Sequence, residues 1–333
     1  MKRDPADVKV FVSSVLPDIG IDMLRRESFN VMTWDEDAPI PPEELVKNTK
    51  QADALLCTLT AKIDASFLSD CSHLQIISQF GVGYDNIDIG EATRLGIPVG
   101  NTPGVLTDAT ADIAFGLMIA ASRKMFFMHK KIEKGEWKHF TPKSNLGIEL
   151  KGKTLGVFGL GRIGTEMAKR CKGAYNMDVI YHNRKPNNEA EEILNARYVS
   201  FDELLAQSDV LSVHSVSSEE TKGIFNRTAF DKMKSTSIFI NTSRGAVHNE
   251  QDLIRALDEG RIWGAGLDVT NPEPMDKNNA LLNMENVAVV PHIGSATVEA
   301  RNAMSKLAAE NIIEFYKNGR MPHLVNPEVL RKT

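Results

Sequence analysis

A glycine cluster, Gly159-Leu160-Gly161-Arg162-Ile163-Gly164, follows the run Thr154-Leu155-Gly156-Val157-Phe158 and opens a stretch that reads as a helix over 161–170. Three glycines at this spacing, between a strand and a helix, constrain the fold more than any other feature of the chain. The first permits a tight turn, the second lets backbone approach a pyrophosphate, and the third lets helix and strand pack closely. The amides and partial positive charge of the helix N-terminus then face the phosphates. GxGxxG alone is a weak signal; the strand before it and the helix after it give it weight. The competing reading is a tight strand-to-helix turn that binds nothing.

Around that unit, short β-branched runs alternate with amphipathic segments, the pattern of α/β domains with parallel sheets. Before it, strands are expected at 8–12, 54–57, 76–79 and 98–100, and helices at 41–48 and 87–95, as in a small flavodoxin-like domain. The pattern breaks at Asn101-Thr102-Pro103-Gly104, a turn-type cluster. A long segment then runs from about 107 to 134; its middle, 111–122, is apolar nearly all round and predicts a buried helix, with Thr107 or Asp108 as cap. A second α/β series begins at 154–158, with further strands at 178–181, 210–214, 238–241, 264–267 and 288–290. The last helix, about 297–317, carries Met304, Leu307, Ala308, Ile312 and Phe315 at helical spacing and is expected to pack back on the N-terminal domain.

Composition excludes several classes. The 333 residues include 39 basic and 44 acidic side chains, a net charge of −5, which argues against a general nucleic-acid coat built on Lys and Arg. Cys57, Cys71 and Cys171 form no CxxC pair and no zinc-type spacing with histidine, so free thiols in a reducing compartment and no metal are expected. The start, MKRDPADVKVFVSS, lacks an apolar signal core. No apolar run approaches the roughly 18 residues of a membrane span. A cytoplasmic protein without membrane or nucleic-acid partners is the expectation.

NAD-type sites place an acid at the end of the second strand, about 20 residues past the first glycine, to hold the ribose. Asp178 fits the count but precedes the Val-Ile-Tyr run, at the wrong end of that strand. The carboxyl end reads His182-Asn183-Arg184-Lys185, with no acid and two cations. Arg184 and Lys185 suit a 2′-phosphate through charge-assisted hydrogen bonds, which favours NADP(H) over NAD(H), though the loop does not forbid the latter. The plainer reading makes them solvated loop charges.

Three residues then stand out beyond the carboxyl ends of expected strands, where open α/β sheets build their ligand crevices. Arg244 lies in Asn241-Thr242-Ser243-Arg244-Gly245, Glu273 in Asp268-Val269-Thr270-Asn271-Pro272-Glu273-Pro274, and His292 in Pro291-His292-Ile293-Gly294-Ser295. The trio suits reduction of a 2-keto acid. Arg holds a carboxylate bidentately and polarises the neighbouring carbonyl. Protonated His gives a proton to the developing alkoxide, and Glu stabilises and orients the imidazolium. Taken singly, each has a bland reading as a surface charge or a structural residue. His214 also ends an expected strand and could face the same crevice.

These motifs, together with Phe80-Gly81-Val82-Gly83-Tyr84-Asp85-Asn86-Ile87-Asp88 and Gly266-Leu267-Asp268-Val269, make the chain resemble the D-isomer-specific 2-hydroxyacid dehydrogenases over nearly its whole length. Within that family it looks most like the glyoxylate/hydroxypyruvate reductases, on Gly104-Val105-Leu106-Thr107-Asp108 and on His292-Ile293-Gly294-Ser295-Ala296-Thr297. The resemblance implies two doubly wound parallel-sheet α/β domains with the active site in the cleft between them, closing to exclude water. A discontinuous substrate-binding domain would cover 1–104 and 299–333, and a Rossmann cofactor domain 105–298. It implies that His292, paired with Glu273, donates the proton. Arg244 and the amides of Val82 and Gly83 would hold the carboxylate, and Ser295 would lie near a hydroxymethyl end. Asp268 would hold the nicotinamide amide. Ser215, Thr242, Asn183 and Gly294 would line the cofactor site, with Arg162 and Ile163 at the pyrophosphate. It further implies a homodimer through the cofactor domain, with an aromatic near Trp137-Lys138-His139-Phe140 reaching the partner's site. The reductase subgroup has Trp where this chain has Phe140, a departure that removes an indole donor.

Neighbouring readings share this pattern. Long phosphoglycerate dehydrogenases carry a regulatory domain past the last helix, for which the 333 residues leave no room. A reductase of sugar acids such as 2-ketogluconate would use the same chemistry. Corepressors on this fold work as dinucleotide-sensing scaffolds, but usually add long tails.

Overall fold

The protein, described by a computed structural model over residues 4–332, divides into two compact units, 1–106 with 296–333, and 107–295. Residues 1–3 and 333, which the expected domain limits include, lie outside the described residues.

The first unit runs β1 (Lys9–Val12), α1 (Asp18–Arg26), β2 (Asn30–Thr33), α2 (Pro42–Thr49), β3 (Ala54–Cys57), α3 (Ala65–Asp70), β4 (Ile76–Gln79), α4 (Ile89–Leu95) and β5 (Val99–Gly100). Its sheet is parallel in the order β2-β1-β3-β4-β5. The strands are short and mostly apolar because helices cover both faces of such a sheet. Asp64 and Asp88 cap α3 and α4 by accepting the amides of Phe67 and Glu91. Asp88 stands where the sequence reading already had helix, so α4 starts two residues later than expected.

The second unit begins with α5 (Thr107–Ser122) and α6 (Met125–Glu133). The expected single long segment is interrupted at Lys124, which takes a left-handed conformation with φ of 56°. Neither Thr107 nor Asp108 is a cap, since both already lie inside the first turn of α5. There follow β6 (Thr154–Phe158), α7 (Arg162–Tyr175), β7 (Asp178–His182), α8 (Asn188–Leu194), β8 (Arg197–Tyr198), α9 (Phe201–Gln207), β9 (Val210–Val213), α10 (Arg227–Asp231), β10 (Ile238–Asn241), α11 (Glu250–Asp258), β11 (Gly264–Leu267) and β12 (Val287–Val289). The seven strands are parallel in the order β12-β11-β10-β9-β6-β7-β8. Alternate side chains of each strand feed two cores. Leu155, Val157, Val179, Tyr181 and Ile240 pack with α5 and α7, whereas Phe158, Ile180, Leu211, Val213 and Phe239 pack on the opposite face. The sheet order reverses between β6 and β9, the kind of switch point at which such sheets bind ligands.

The final helix, α12 (Val298–Asn318), is capped by Thr297 and belongs to the first unit. Ser305 donates to Pro17 O at the start of α1, and Ser78 of β4 donates to Ala308 O. Among the described residues no helix is long and apolar enough to cross a membrane.

Candidate active site

In the second unit the glycine turn leaves β6 at the switch point, and each glycine has its own reason to be there. Gly159 has φ of 97°, and a Cβ on it would lie 2.7 Å from Ser215 N. A Cβ on Gly164 would lie 2.7 Å from Gly159 O and 2.9 Å from Val157 Cγ1, so this glycine sets how closely α7 meets β6. A Cβ on Gly161 would meet nothing within 4 Å, so the middle of the turn borders open space. Gly161 caps α7 without a side chain, which leaves the first-turn amides, starting at Arg162 and Ile163, free of a side-chain acceptor.

The loop after β7 holds this turn in place. Asn183 Oδ1 accepts the Leu160 amide at 2.7 Å, and Asn187 Nδ2 donates to Leu160 O at 2.8 Å. Asn183, expected on the cofactor side, thus spends its carboxamide on the glycine turn. Arg184 and Lys185 are exposed and make no hydrogen bond or ion pair with any described residue. On the other side of the turn, Ser215 Oγ is buried without a hydrogen-bond partner. These features fit a dinucleotide: open space at the middle glycine, an uncapped helix, an orphaned hydroxyl and two unengaged cations.

Arg244, Glu273 and His292 follow β10, β11 and β12 respectively, at one end of the sheet. Asn241 organises the first loop: its Oδ1 accepts from Ser243 N and Oγ, and its Nδ2 donates to Arg244 O. Gly245 brings that loop against the next one, because a Cβ there would lie 1.8 Å from Thr270 O. Glu250, 5% exposed at the start of α11, then fixes the second loop by accepting Asn271 N at 3.1 Å and Asn279 Nδ2 at 2.6 Å. Sequence reasoning missed Glu250. A carboxylate in the first turn of a helix passes for a dipole-compensating charge, and its partners lie more than 20 residues away.

His292 Nδ1 lies 2.5 Å from Glu273 Oε1, with side-chain exposures of 32% and 43%. Burial pushes the Glu273 carboxyl up, but the hydrogen bond and charge of His292, a Thr270 backbone hydrogen bond and the Arg244 charge outweigh it and hold it below the usual carboxylate value. His292 has φ of 52°, a left-handed conformation costing a non-glycine residue about 1–2 kcal/mol. Three bonds support it: His292 N donates to Asp268 O, and Asp268 takes the next two amides, Ile293 at 2.6 Å and Gly294 at 2.9 Å, on its carboxylate. Burial is the main influence on Asp268, 2% exposed, and raises its pKa despite those donors. Expected to hold a nicotinamide amide, Asp268 has both oxygens on the turn that carries His292. A Cβ on Gly294 would lie 2.8 Å from Asp268 Oδ2. Ser295, half-buried, ends this segment.

In the first unit, loop 80–86 follows β4. Asn101 Nδ2 donates to Val82 O at 2.8 Å and Thr102 N to Gly81 O at 2.9 Å. Asn86 donates to Thr58 O and Ala61 O. The carbonyls are thus tied down, and the amides of Val82 and Gly83 donate to no described residue. Phe140 lies in the stretch between α6 and β6, 84% exposed, near Trp137 at 73%.

A parallel sheet with a glycine turn at its switch point and an Arg, a Glu and a His past neighbouring strands defines a dinucleotide-binding α/β oxidoreductase. Residues 115–294 match the family described as "D-isomer specific 2-hydroxyacid dehydrogenase, NAD binding domain". The chain is 46% identical over 326 residues to the glyoxylate reductase of Thermococcus litoralis, covering 97% of this chain and 98% of that one. A glyoxylate reductase from Paecilomyes thermophila has a crystal structure with a TM-score of 0.86 and 34% identity, covering 96% of this chain and 98% of that one. An NADPH-dependent glyoxylate/hydroxypyruvate reductase of Sinorhizobium meliloti, in complex with NADP and malonate, has a TM-score of 0.84 and 30% identity, covering 97% of each chain. This chain belongs to the D-isomer-specific 2-hydroxyacid dehydrogenase family.

Proposed function

We propose that the protein reduces a small 2-keto acid, glyoxylate or hydroxypyruvate, to the D-2-hydroxy acid, glycolate or D-glycerate, using NADPH in preference to NADH. The observation that carries this reading is the 2.5 Å contact between His292 Nδ1 and Glu273 Oε1. With Nδ1–H donated to the carboxylate, the other ring nitrogen is the one that can hand over a proton. The reductase names of the relatives support the substrate class.

The glycine turn and the start of α7, with Ser215 and Thr242, would hold the dinucleotide. Arg184 and Lys185 would take its 2′-phosphate, a reading supported by their lack of protein partners and by the NADP-bound neighbour. When bound, the cofactor supplies a hydride to the keto carbon. Arg244 would bind the substrate carboxylate and polarise the adjacent carbonyl, and the free amides of Val82 and Gly83 would take the same carboxylate. Arg244 Nη1 donates to Ser243 O at 2.8 Å, which restrains the guanidinium on its own loop. His292 Nε2 would give its proton to the alkoxide as it forms, while Glu273 stabilises the charged ring beforehand. Ser295 and Phe140 would shape the rim, Phe140 from the partner subunit of a homodimer joined through the second unit. The exposed apolar side chains Met125, Ile132, Trp137, Phe140 and Leu146 support such a covered surface.

Steady-state loss of nicotinamide absorbance tests the proposal, with glyoxylate, hydroxypyruvate and 2-ketogluconate each offered with NADPH and with NADH. Turnover of a small acid with NADPH supports it. Turnover with NADH alone removes the 2′-phosphate assignment, and turnover of 2-ketogluconate alone removes the small-acid assignment.

A further inference from the structure

His214, the residue after β9, is half-buried between two hydroxyls in the second unit. Its Nε2 lies 2.8 Å from Ser212 Oγ, and its Nδ1 lies 3.3 Å from Thr242 Oγ1. Its backbone borders the glycine turn, since a Cβ on Gly159 would lie 2.8 Å from His214 C. The direction of the two hydrogen bonds follows from the burial of Ser212. That hydroxyl is fully buried, and His214 Nε2 is its only hydrogen-bond partner among the described residues. A hydroxyl with no exposure at all and a single partner gives its proton to that partner, whereas Thr242, 8% exposed, keeps a second direction open to its own. His214 Nε2 is therefore the acceptor, and the ring proton sits on Nδ1, which donates to Thr242 Oγ1. Thr242, buried in turn, makes no other side-chain hydrogen bond with a described residue, so its own proton is left to point elsewhere.

We propose that Ser212, His214 and Thr242 form a one-way hydrogen-bond relay that fixes the Thr242 hydroxyl as a donor to the bound nicotinamide dinucleotide, with His214 as a positioning residue. This rests on the dinucleotide site proposed above. The ligand group it serves is an acceptor oxygen of the cofactor. Burial supports the neutral ring that the relay needs, holding the His214 pKa down to about 4.

The test is a double-mutant cycle read by NADPH binding, followed through the fluorescence of the reduced nicotinamide, together with the tautomer of His214. In the wild-type background His214→Phe should weaken NADPH binding about tenfold, the usual scale for one lost hydrogen bond to a ligand. In a Thr242→Val background the same substitution should change it less than about twofold. Thr242→Ser, which keeps the hydroxyl, should bind nearly as wild type does. Nitrogen NMR of the folded wild-type protein should find the His214 proton on Nδ1. Equal losses in both backgrounds, or a proton on Nε2, overturn the relay while leaving the site. A wild-type protein that binds no dinucleotide overturns the site and the relay together. Should His214→Phe fail to fold, Ser212→Ala interrupts the relay from its far end, and the NMR measurement needs no variant.

Discussion

The imidazole of His292 and the carboxylate of Glu273 meet at 2.5 Å although 19 residues separate them in the chain. Two loops are braced to bring them together: Asp268 grips the turn that carries His292, and Glu250 grips the loop that carries Glu273. Removing the proposed proton donor should be costly. His292→Ala is expected to lower kcat by about 10²–10⁴-fold with folding intact. Glu273→Gln keeps a hydrogen-bond acceptor but loses the charge, so a smaller loss in kcat and a basic limb of the pH–rate profile displaced to lower pH are expected. Steady-state rates across pH, with circular dichroism as the folding check, decide this; near-wild-type rates for His292→Ala would sink the assignment.

Arg244 should behave differently. Its proposed contacts are to the substrate carboxylate and carbonyl, so Arg244→Ala should raise KM for the keto acid and lower kcat, by at least about 100-fold in kcat/KM. Arg244→Lys should recover little, because a point charge does not reproduce the planar fork. Cofactor binding measured alone should be nearly unchanged in both variants. A variant whose only defect is loss of NADPH binding would contradict the assignment.

Much of the fold could be read from the chain. A strand, three glycines and a helix in sequence identify β6 and α7 because each glycine answers a local steric demand. The strand ends that carry Arg244, Glu273 and His292 could be found because parallel strands are short apolar runs with abrupt polar ends. What could not be read depends on partners distant in sequence. The break at Lys124 lies inside an unbroken apolar and basic stretch with no glycine or proline to announce it. Asp268 and Asn183 read from the chain only as cofactor contacts, and the fold adds what the chain could not show: their side chains also hold the His292 turn and the glycine turn. β8, Arg197–Tyr198, is exposed at both residues and so has no apolar run to be seen, unlike the equally short but buried β5.

Stability should fall on mild acidification. Burial lowers the pKa of both His214 and His248 to about 4 from 6.5. Between those values the unfolded chain binds protons that the folded chain refuses, so unfolding is favoured as pH falls from 6.5 toward 4. Each histidine contributes on the order of 2 kcal/mol of this loss by pH 5. Urea unfolding at pH 7, 6 and 5 measures it, and His248→Leu should flatten the curve by about half. A midpoint independent of pH over this range would contradict the burial of both rings in neutral form.

The proposed preference for NADPH rests on the loop after β7. Arg184 and Lys185 are exposed and form no ion pair with a described residue. Arg184→Ala should therefore weaken NADPH binding by about tenfold or more and leave NADH nearly unchanged, since only the former carries the 2′-phosphate. Added salt should narrow the NADPH advantage by screening these exposed charges. Titration with each dinucleotide at low and high ionic strength measures both effects, and equal losses for the two nucleotides would remove Arg184 from the phosphate site.

The closest approach in the site gives the last prediction. Gly245 admits no Cβ, because one would sit 1.8 Å from the Thr270 carbonyl oxygen, and that neighbour is backbone that cannot swing aside. Gly245→Ala must therefore part the loop bearing Arg244 from the loop bearing Glu273. Overpacking of this kind costs about 1–3 kcal/mol, a loss the folded state should survive. Activity should suffer more than stability, because the displaced residues are the ones proposed to bind and protonate the substrate, and misplacement by about 1 Å can cost 100-fold. The discriminating measurement is kcat/KM beside the urea midpoint, with NADPH affinity as a control that should hold. A variant that keeps wild-type kcat/KM would mean that the spacing of these two loops does not matter to the reaction.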